Sequence, residues 1–335
     1  MPDMPAARVT DPHVCPMSTA FVAHGGGPIM PPCEPTVETG NLKQARISDM
    51  ATCVGPPDVI AQGASTVTVR GLFAARMIDP TVHGGIILMG LPTVIIGSPV
   101  FTARPVTVDL FGNATYGSGI KVDADPDDPN YASLAIAALI RLDTTPTGNA
   151  IINAIERSGE TVEIEPYDGS AGTYNATTTE NIFSKGSTIA WNPGMNGFGP
   201  VGTTADWEQP GSDMILGHEM VHAAHNATGT HADGPTVVWS KGKHFWNRDQ
   251  TSNMGEERNT TGLPAGTYNG PQNDSDGNPL NGTALPDTTG GAPGAPYTEN
   301  KLRDDYRDRG IPSPVTGNPP DPRPSYVSGG GTPPF

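Results

Sequence analysis

The chain has 335 residues, 42 Gly and 36 Pro, few aromatics and a net charge of −16. That is length enough for two cores and a composition poor in long helices, and the acidity excludes nucleic acid or an anionic membrane as partner, since both need a basic surface. No apolar run approaches the ~20 residues of a membrane span, and the first residues lack a basic, apolar signal sequence, so the expected product is made in the cytoplasm.

The first hundred residues repeat a phrase. Copies begin at His24-Gly25-Gly26, Cys53-Val54-Gly55 and His83-Gly84-Gly85, a period of 29 or 30, the first having drifted. Each reads as a short alternating strand, a Gly turn and a second, β-branched strand. No copy could bury a face alone, so three are expected to pack about one axis. That register brings His24, Cys53 and His83 to one end, where His13 would complete a closed tetrahedral zinc set. Three cysteines are too few for a disulfide framework; Cys15 and Cys33 have no equivalent in this register and read as structural or incidental.

Ala7-Arg8-Val9-Thr10-Asp11, Ala45-Arg46-Ile47-Ser48-Asp49, Ala75-Arg76-Met77-Ile78-Asp79 and the Thr-Val-x-[Val/Ile]-x-Gly phrases resemble PAAR-repeat proteins, the tips of type VI secretion spikes. The resemblance covers about 5–100. It implies an all-β cone pinned at its apex by structural Zn²⁺ and docked by its base on a trimeric VgrG-type spike. The expected division is a cone at 1–100, a linker at 101–130 and an α+β domain at 131–335.

Beyond the connector, apolar spacing predicts helices over 132–142 and 147–158. Thr161–Glu165 alternates as a strand, and Ser187–Asn192 is expected to be the sheet edge along which an extended substrate would pair. A helix is expected from Ser212 or Asp213 to Gly229. It carries His218-Glu219-Met220-Val221-His222. Residues i and i+4 share a helix face, roughly 6 Å apart along the axis, so both imidazoles can reach one Zn²⁺. Glu219 beside them can accept a proton from water. A metzincin would continue with Gly and His where His225 and Thr228 stand, so that class is excluded. The third ligand is expected in Glu256-Glu257-Arg258-Asn259-Thr260-Thr261-Gly262. His225, His231, Asp233 and His244 read as packing, capping or solvated groups.

His218–His225 together with Glu256-Glu257-x-x-Thr260-x-Gly262 look like clostridial neurotoxin light chains, in which the second Glu of the pair is the ligand. That resemblance implies Glu257, with Glu256 as the fallback. Pro264–Pro296 reads as a long surface loop, and Pro279 stands where the calcium-like run Asp274–Asn278 would need Gly. The closing phrases Tyr297–Arg303, Gly310-Ile311-Pro312 and Arg323-Pro324-Ser325-Tyr326 are similar to NleD-like effector metallopeptidases. By that likeness, over about 130–327, the second domain is zincin-like, Arg323 positions the scissile carbonyl and Tyr326 donates to the oxyanion. A second such pair, Arg303 and Tyr306, remains open.

The combined expectation is a spike-tip effector carrying a zinc endopeptidase, with one structural and one catalytic Zn²⁺. It would leave the cell through the type VI apparatus without a signal peptide and cut a protein in the target cell, with an immunity protein or adaptor as further partner. The competing expectations are a structural tip with a non-catalytic, adaptor-binding extension, and a zinc hydrolase acting on cell-wall peptides.

Overall fold

Three Ala-Arg-x-x-Asp turns set the geometry of the N-terminal region. In a computed structural model describing residues 3–19, 21–167, 176–180, 185–197, 207, 209–231, 236–239, 250–253, 259–262, 267–268, 285–286 and 296–323, these turns superpose chemically. Asp11, Asp49 and Asp79 each accept the backbone N–H of the Arg three residues earlier at 2.8 Å and pair with its guanidinium. That clamp holds the preceding residue in the left-handed region (Thr10 φ 71°, Ser48 φ 70°, Ile78 φ 63°), a strain no isolated segment would keep.

The alanines close a ring. Ala7 N–H donates to Ala75 O at 3.0 Å, Ala45 N–H to Ala7 O and Ala75 N–H to Ala45 O, both at 2.9 Å. All three are wholly buried, so backbones meet at the axis where a larger side chain would not fit. Ile29, Ile60 and Ile87 form the next buried layer, each bonded to its own Asp turn. Around this run three antiparallel pairs: Glu34–Thr39 with Leu42–Gln44, Gln62–Val69 with Leu72–Ala74, and Leu91–Ile96 with Met4–Ala6. The chain's first strand thus completes the last repeat. The turns Gly40-Asn41 and Arg70-Gly71 have φ of 61°, 65°, 50° and 80°, as the twist of tight hairpins requires.

The stretch expected as a linker carries strands of the sheet instead of running as a plain connector. Val100–Thr102 pairs with the cone strand at Gln62–Ala64. The chain then enters six strands: β1 (Val106–Val108), β2 (Ala114–Tyr116), β3 (Ile120–Val122), β4 (Val162–Pro166), β5 (Ala176–Glu180) and β6 (Ser187–Trp191), in the order β1-β2-β3-β4-β6-β5. β3, β4 and β6 are mutually parallel, and the other neighbours are antiparallel. β6 is therefore interior, and β5 is the edge, which moves the expected substrate-pairing edge by one strand.

Helices α1 (Tyr131–Asp143) and α2 (Pro146–Ser158) bridge β3 to β4, as apolar spacing anticipates. Helix α3 (Ser212–Thr228) packs on both of them, beside β5 and β6, and against α4 (Glu299–Arg309). Fourteen of the 17 residues of α3 are buried, so it is a core helix enclosed on nearly all faces rather than an amphipathic surface one.

Cone and second domain share one core. Ile47, Val59, Leu72 and Phe73 of the cone belong to the same apolar cluster as Tyr116, Ile136, Ile155 and Leu216. Arg309 lies over the Phe73 ring at 4.5 Å, and buried Ser133 Oγ donates to Pro57 O at 2.6 Å. The boundary is a chain crossing between packed surfaces.

Candidate metal and active site

Helix α3 begins after Gly211, whose φ of 96° serves as N-cap in place of the expected Ser212 or Asp213 side chains. Asp213 turns inward instead and is held by Arg141 at 3.2 Å and by the Tyr306 hydroxyl at 2.9 Å. At mid-helix Gly217 lets α4 approach: a Cβ there would lie 2.4 Å from Leu302 Cδ2. His218 and His222 follow, with His218 buried and His222 partly exposed.

The two imidazoles aim the same nitrogen at one point. His218 Nε2 and His222 Nε2 lie 3.2 Å apart with ring planes at 80°. Two Zn–N bonds of 2.0–2.1 Å at a tetrahedral angle span about 3.3 Å. The far nitrogens are held: His218 Nδ1 by Glu299 Oε2 at 2.8 Å, His222 Nδ1 by Thr260 Oγ1 at 3.0 Å. A carboxylate can only accept, so His218 carries its proton on Nδ1 and presents a bare Nε2 lone pair inward. This is how metal-binding histidines are ordinarily oriented, and the donor pair fits zinc. Glu219, one residue on from His218, is buried.

Glu299 was not foreseen. It is fully buried at the start of α4, takes Arg303 Nε at 2.6 Å on one oxygen, and has Arg323 Nη1 at 3.5 Å on the oxygen that holds His218. Burial opposes its ionisation, but Arg303, the His218 hydrogen bond and Arg323 outweigh that and hold its carboxyl well below the usual range. The cluster locates two expected residues. Arg323 does reach the site, where it is buried against Glu299, with its backbone N–H bonded to Asn300 Oδ1 at 2.7 Å. Arg303 joins the same carboxylate, whereas Tyr306 faces Asp213 near the start of α3, so that pair is not an oxyanion pair. Tyr326, Glu256, Glu257, Asp233 and His244 lie outside the described residues, as does nearly all of Pro264–Pro296 with the calcium-like run. His225 is stacked on Tyr297 with centroids 5.5 Å apart, and His231 is exposed.

At the cone apex the structure gathers Cys15, His24, Cys53 and His83, each offering a ligand atom within 4.8 Å of the others. Cys15 Sγ lies 3.7 Å from His83 Nδ1, against about 3.6 Å for a thiolate and an imidazole sharing one zinc. Two Cys and two His are a good closed zinc set. Three of the expected residues are thus brought together, and His13 is not among them. His13 Nδ1 bonds Gly27 O at 2.8 Å and its Nε2 lies 3.3 Å from Asp58 Oδ2, in a neighbouring group with Cys53 and Asp58. Asp58 is buried and also accepts from His83 N–H and from Thr81 Oγ, tying adjacent loops together. Burial lowers the His83 pKa and keeps that imidazole neutral, while it pushes the Cys53 thiol up to about 12, with neighbouring Cys15 adding to the effect. Bound metal would reverse the latter.

Cys15 could have been found by counting from the Asp of each clamp. Cys15, Cys53 and His83 all stand four residues after Asp11, Asp49 and Asp79. His24 comes from the extra length of the first loop. Glu299 carried a weaker signal: an acid in the first turn of a helix, four residues before Arg303.

With this geometry in view, the comparisons are specific. The profile of the family Peptidase_M91, described as an effector protein, matches residues 117–310, more than half of the chain, and the chain belongs to that family. A PAAR-motif profile matches residues 19–89. A search among curated proteins found no match. The molecule is therefore a β-rich PAAR region fused to a peptidase effector domain. The PAAR motif implies association with a VgrG spike and points to type VI secretion. Among the described residues no helix is long and apolar enough to cross a membrane.

Proposed function

We propose that this chain is a type VI spike-tip effector whose second domain is a zincin-like, NleD-like zinc endopeptidase, delivered into a target cell to cut a protein there. The observation that carries the reading is the 3.2 Å convergence of His218 and His222 with both far nitrogens held. His218 and His222 would hold the ion with Glu257, or with Glu256 in its place. Both acids precede Thr260 by three or four residues in sequence, and the Thr260 hydroxyl touches His222.

A zinc ion so bound supplies Lewis acidity towards water and the peptide carbonyl. Glu219 takes the proton of the attacking water and returns it to the leaving amine. Glu299 keeps His218 in the right tautomer, Arg323 and Arg303 keep Glu299 ionised, and Tyr326 is the proposed oxyanion donor. Cys15, His24, Cys53 and His83 hold a second, structural zinc at the tip. Substrate, adaptor and any immunity protein would meet the peptidase domain, leaving the cone base for the spike.

Full-length protein should contain two zinc ions, and Glu219→Gln should keep both while cleavage in target cells falls by about 10²–10⁴. One zinc per chain would return the second domain to a binding role. A Glu219→Gln chain that still cleaves would remove Glu219 from the chemistry.

A further inference from the structure

The carboxyl ends of the parallel strands β3, β4 and β6 open into a pocket of about 400 Å³, the place where open α/β sheets usually receive ligands. Its walls include Tyr131, Tyr167, Trp191, Asp125, Asp128 and Asn192. Its lining contains no histidine, although Asp125 also lines the neighbouring cavity that reaches His24 and His83.

Three features define what it would bind. First, it is acidic: Asp125 and Asp128 line it, Asp123 and Glu165 lie near enough to act on Tyr131 in its wall, and among the described residues no Lys or Arg pairs with any of these four. Burial, Asp123 and Glu163 together raise the pKa of Glu165, the expected result of crowded carboxylates without a counter-ion. Second, Tyr131 is 2 % exposed and its hydroxyl has no hydrogen-bond partner, a condition native proteins seldom leave without cause. Asp125, Glu165 and Asp123 all act on that hydroxyl and, together with burial, keep it protonated. Third, the walls are aromatic and rigid. The Tyr131 and Trp191 rings lie 6.1 Å apart, and Trp191 Nε1 is fixed on Ser212 O at 2.9 Å, at the first residue of α3.

The size of the cation follows. Among the described residues, the groupings of His, Cys and acids tight enough to share a metal lie at the cone apex and not here. Two wall carboxylates without a third close His, Cys or acid donor suit a larger cation, and aromatic walls suit an aliphatic stem with a charged head. We infer that this pocket binds the ammonium or guanidinium of a Lys or Arg side chain carried by a polypeptide docked on the peptidase domain.

The test is binding, independent of catalysis. Blocked tripeptides Gly-Lys-Gly, Gly-Arg-Gly and Gly-norleucine-Gly, and separately calcium and magnesium chloride, are titrated calorimetrically into the full-length Glu219→Gln chain. The Lys and Arg peptides should bind at least about tenfold more tightly than the norleucine peptide, and Asp125→Asn/Asp128→Asn should erase that margin. Asparagine retains the side-chain oxygens that accept from Asp127 N–H and Asn130 N–H, so the turn should survive, which a thermal melt checks. Should the double variant misfold, Glu165→Gln on β4 and Tyr131→Phe carry the same expectation of weakened Lys binding. Equal binding of norleucine, unchanged binding in the variants, or calcium competing away the Lys peptide would each overturn the assignment. Given selective binding, slower target-cell cleavage by the double variant in the Glu219 background means that the substrate brings the cation, and unchanged cleavage that a partner protein does.

Discussion

The cone apex and the metal helix both bring histidines together, but by opposite means. At the apex the donors sit on loops of unequal length strung between three identical Asp clamps, so the clamps decide which donors meet. On α3 the two donors are one turn apart on a rigid rod, and distant segments only orient them: Thr260 lies 38 residues beyond His222 and Glu299 81 beyond His218. The apex is thus sensitive to local register, and the helix site to long-range packing.

Glu299→Gln should break the helix site hardest. It leaves Arg303 and Arg323 buried beside a neutral amide, a loss of about 3–5 kcal/mol in denaturant unfolding. One zinc should go and the apex zinc should stay. Loss of both would mean that the two sites are not separately organised.

Next in size is a paired exchange at the tip. Cys15→Ser should cost the apex its zinc while His13→Gln should not, read as zinc per chain. The reverse result would restore His13 as the ligand and void the register drawn from the Asp clamps.

Thr260→Val removes the hydrogen bond to His222. Zinc affinity at α3 should fall by about tenfold, measured by competition with a chelator, with the apex unchanged. A helix site that did not need its distant partners would show no loss.

Glu165→Gln is the smallest effect. The folded pKa of Glu165 is raised, so its favourable contribution is complete below the unfolded value and is lost as pH rises through the folded one. The variant should therefore melt slightly higher than wild type at about pH 7 and no higher at about pH 4. A lower melting temperature at neutral pH would mean that the carboxylate has a stabilising partner.

Much of the second domain was legible because its signals are local. Ile151, Ile152 and Ile155 mark the buried face of α2, and Thr145 caps it as a side chain should. The i, i+4 spacing of His218 and His222 survives any tertiary context, since helix geometry enforces it. The strands at 106–122 were hidden by brevity: three residues each, between turns, carry no readable alternation. Glu299 was hidden because a buried carboxylate looks like any surface acid until its partners are known. At the cone, aligning the repeats on their His-Gly and Cys-Val-Gly starts placed His24 in the repeat register, although loop length varies and the Asp clamps do not.

By itself the sequence determined the repeat, the donor types and the helix that carries His218, Glu219 and His222, because these rest on backbone periodicity and side-chain chemistry. The convergence of His218 and His222 began as a spacing. Only the tertiary structure decided that their Nε2 atoms face each other, that Cys15 and not His13 lies with His24, Cys53 and His83, that β5 and not β6 forms the edge, and that cone and peptidase share one core. Each of those choices depends on which distant surfaces exclude water together, and no local pattern encodes that.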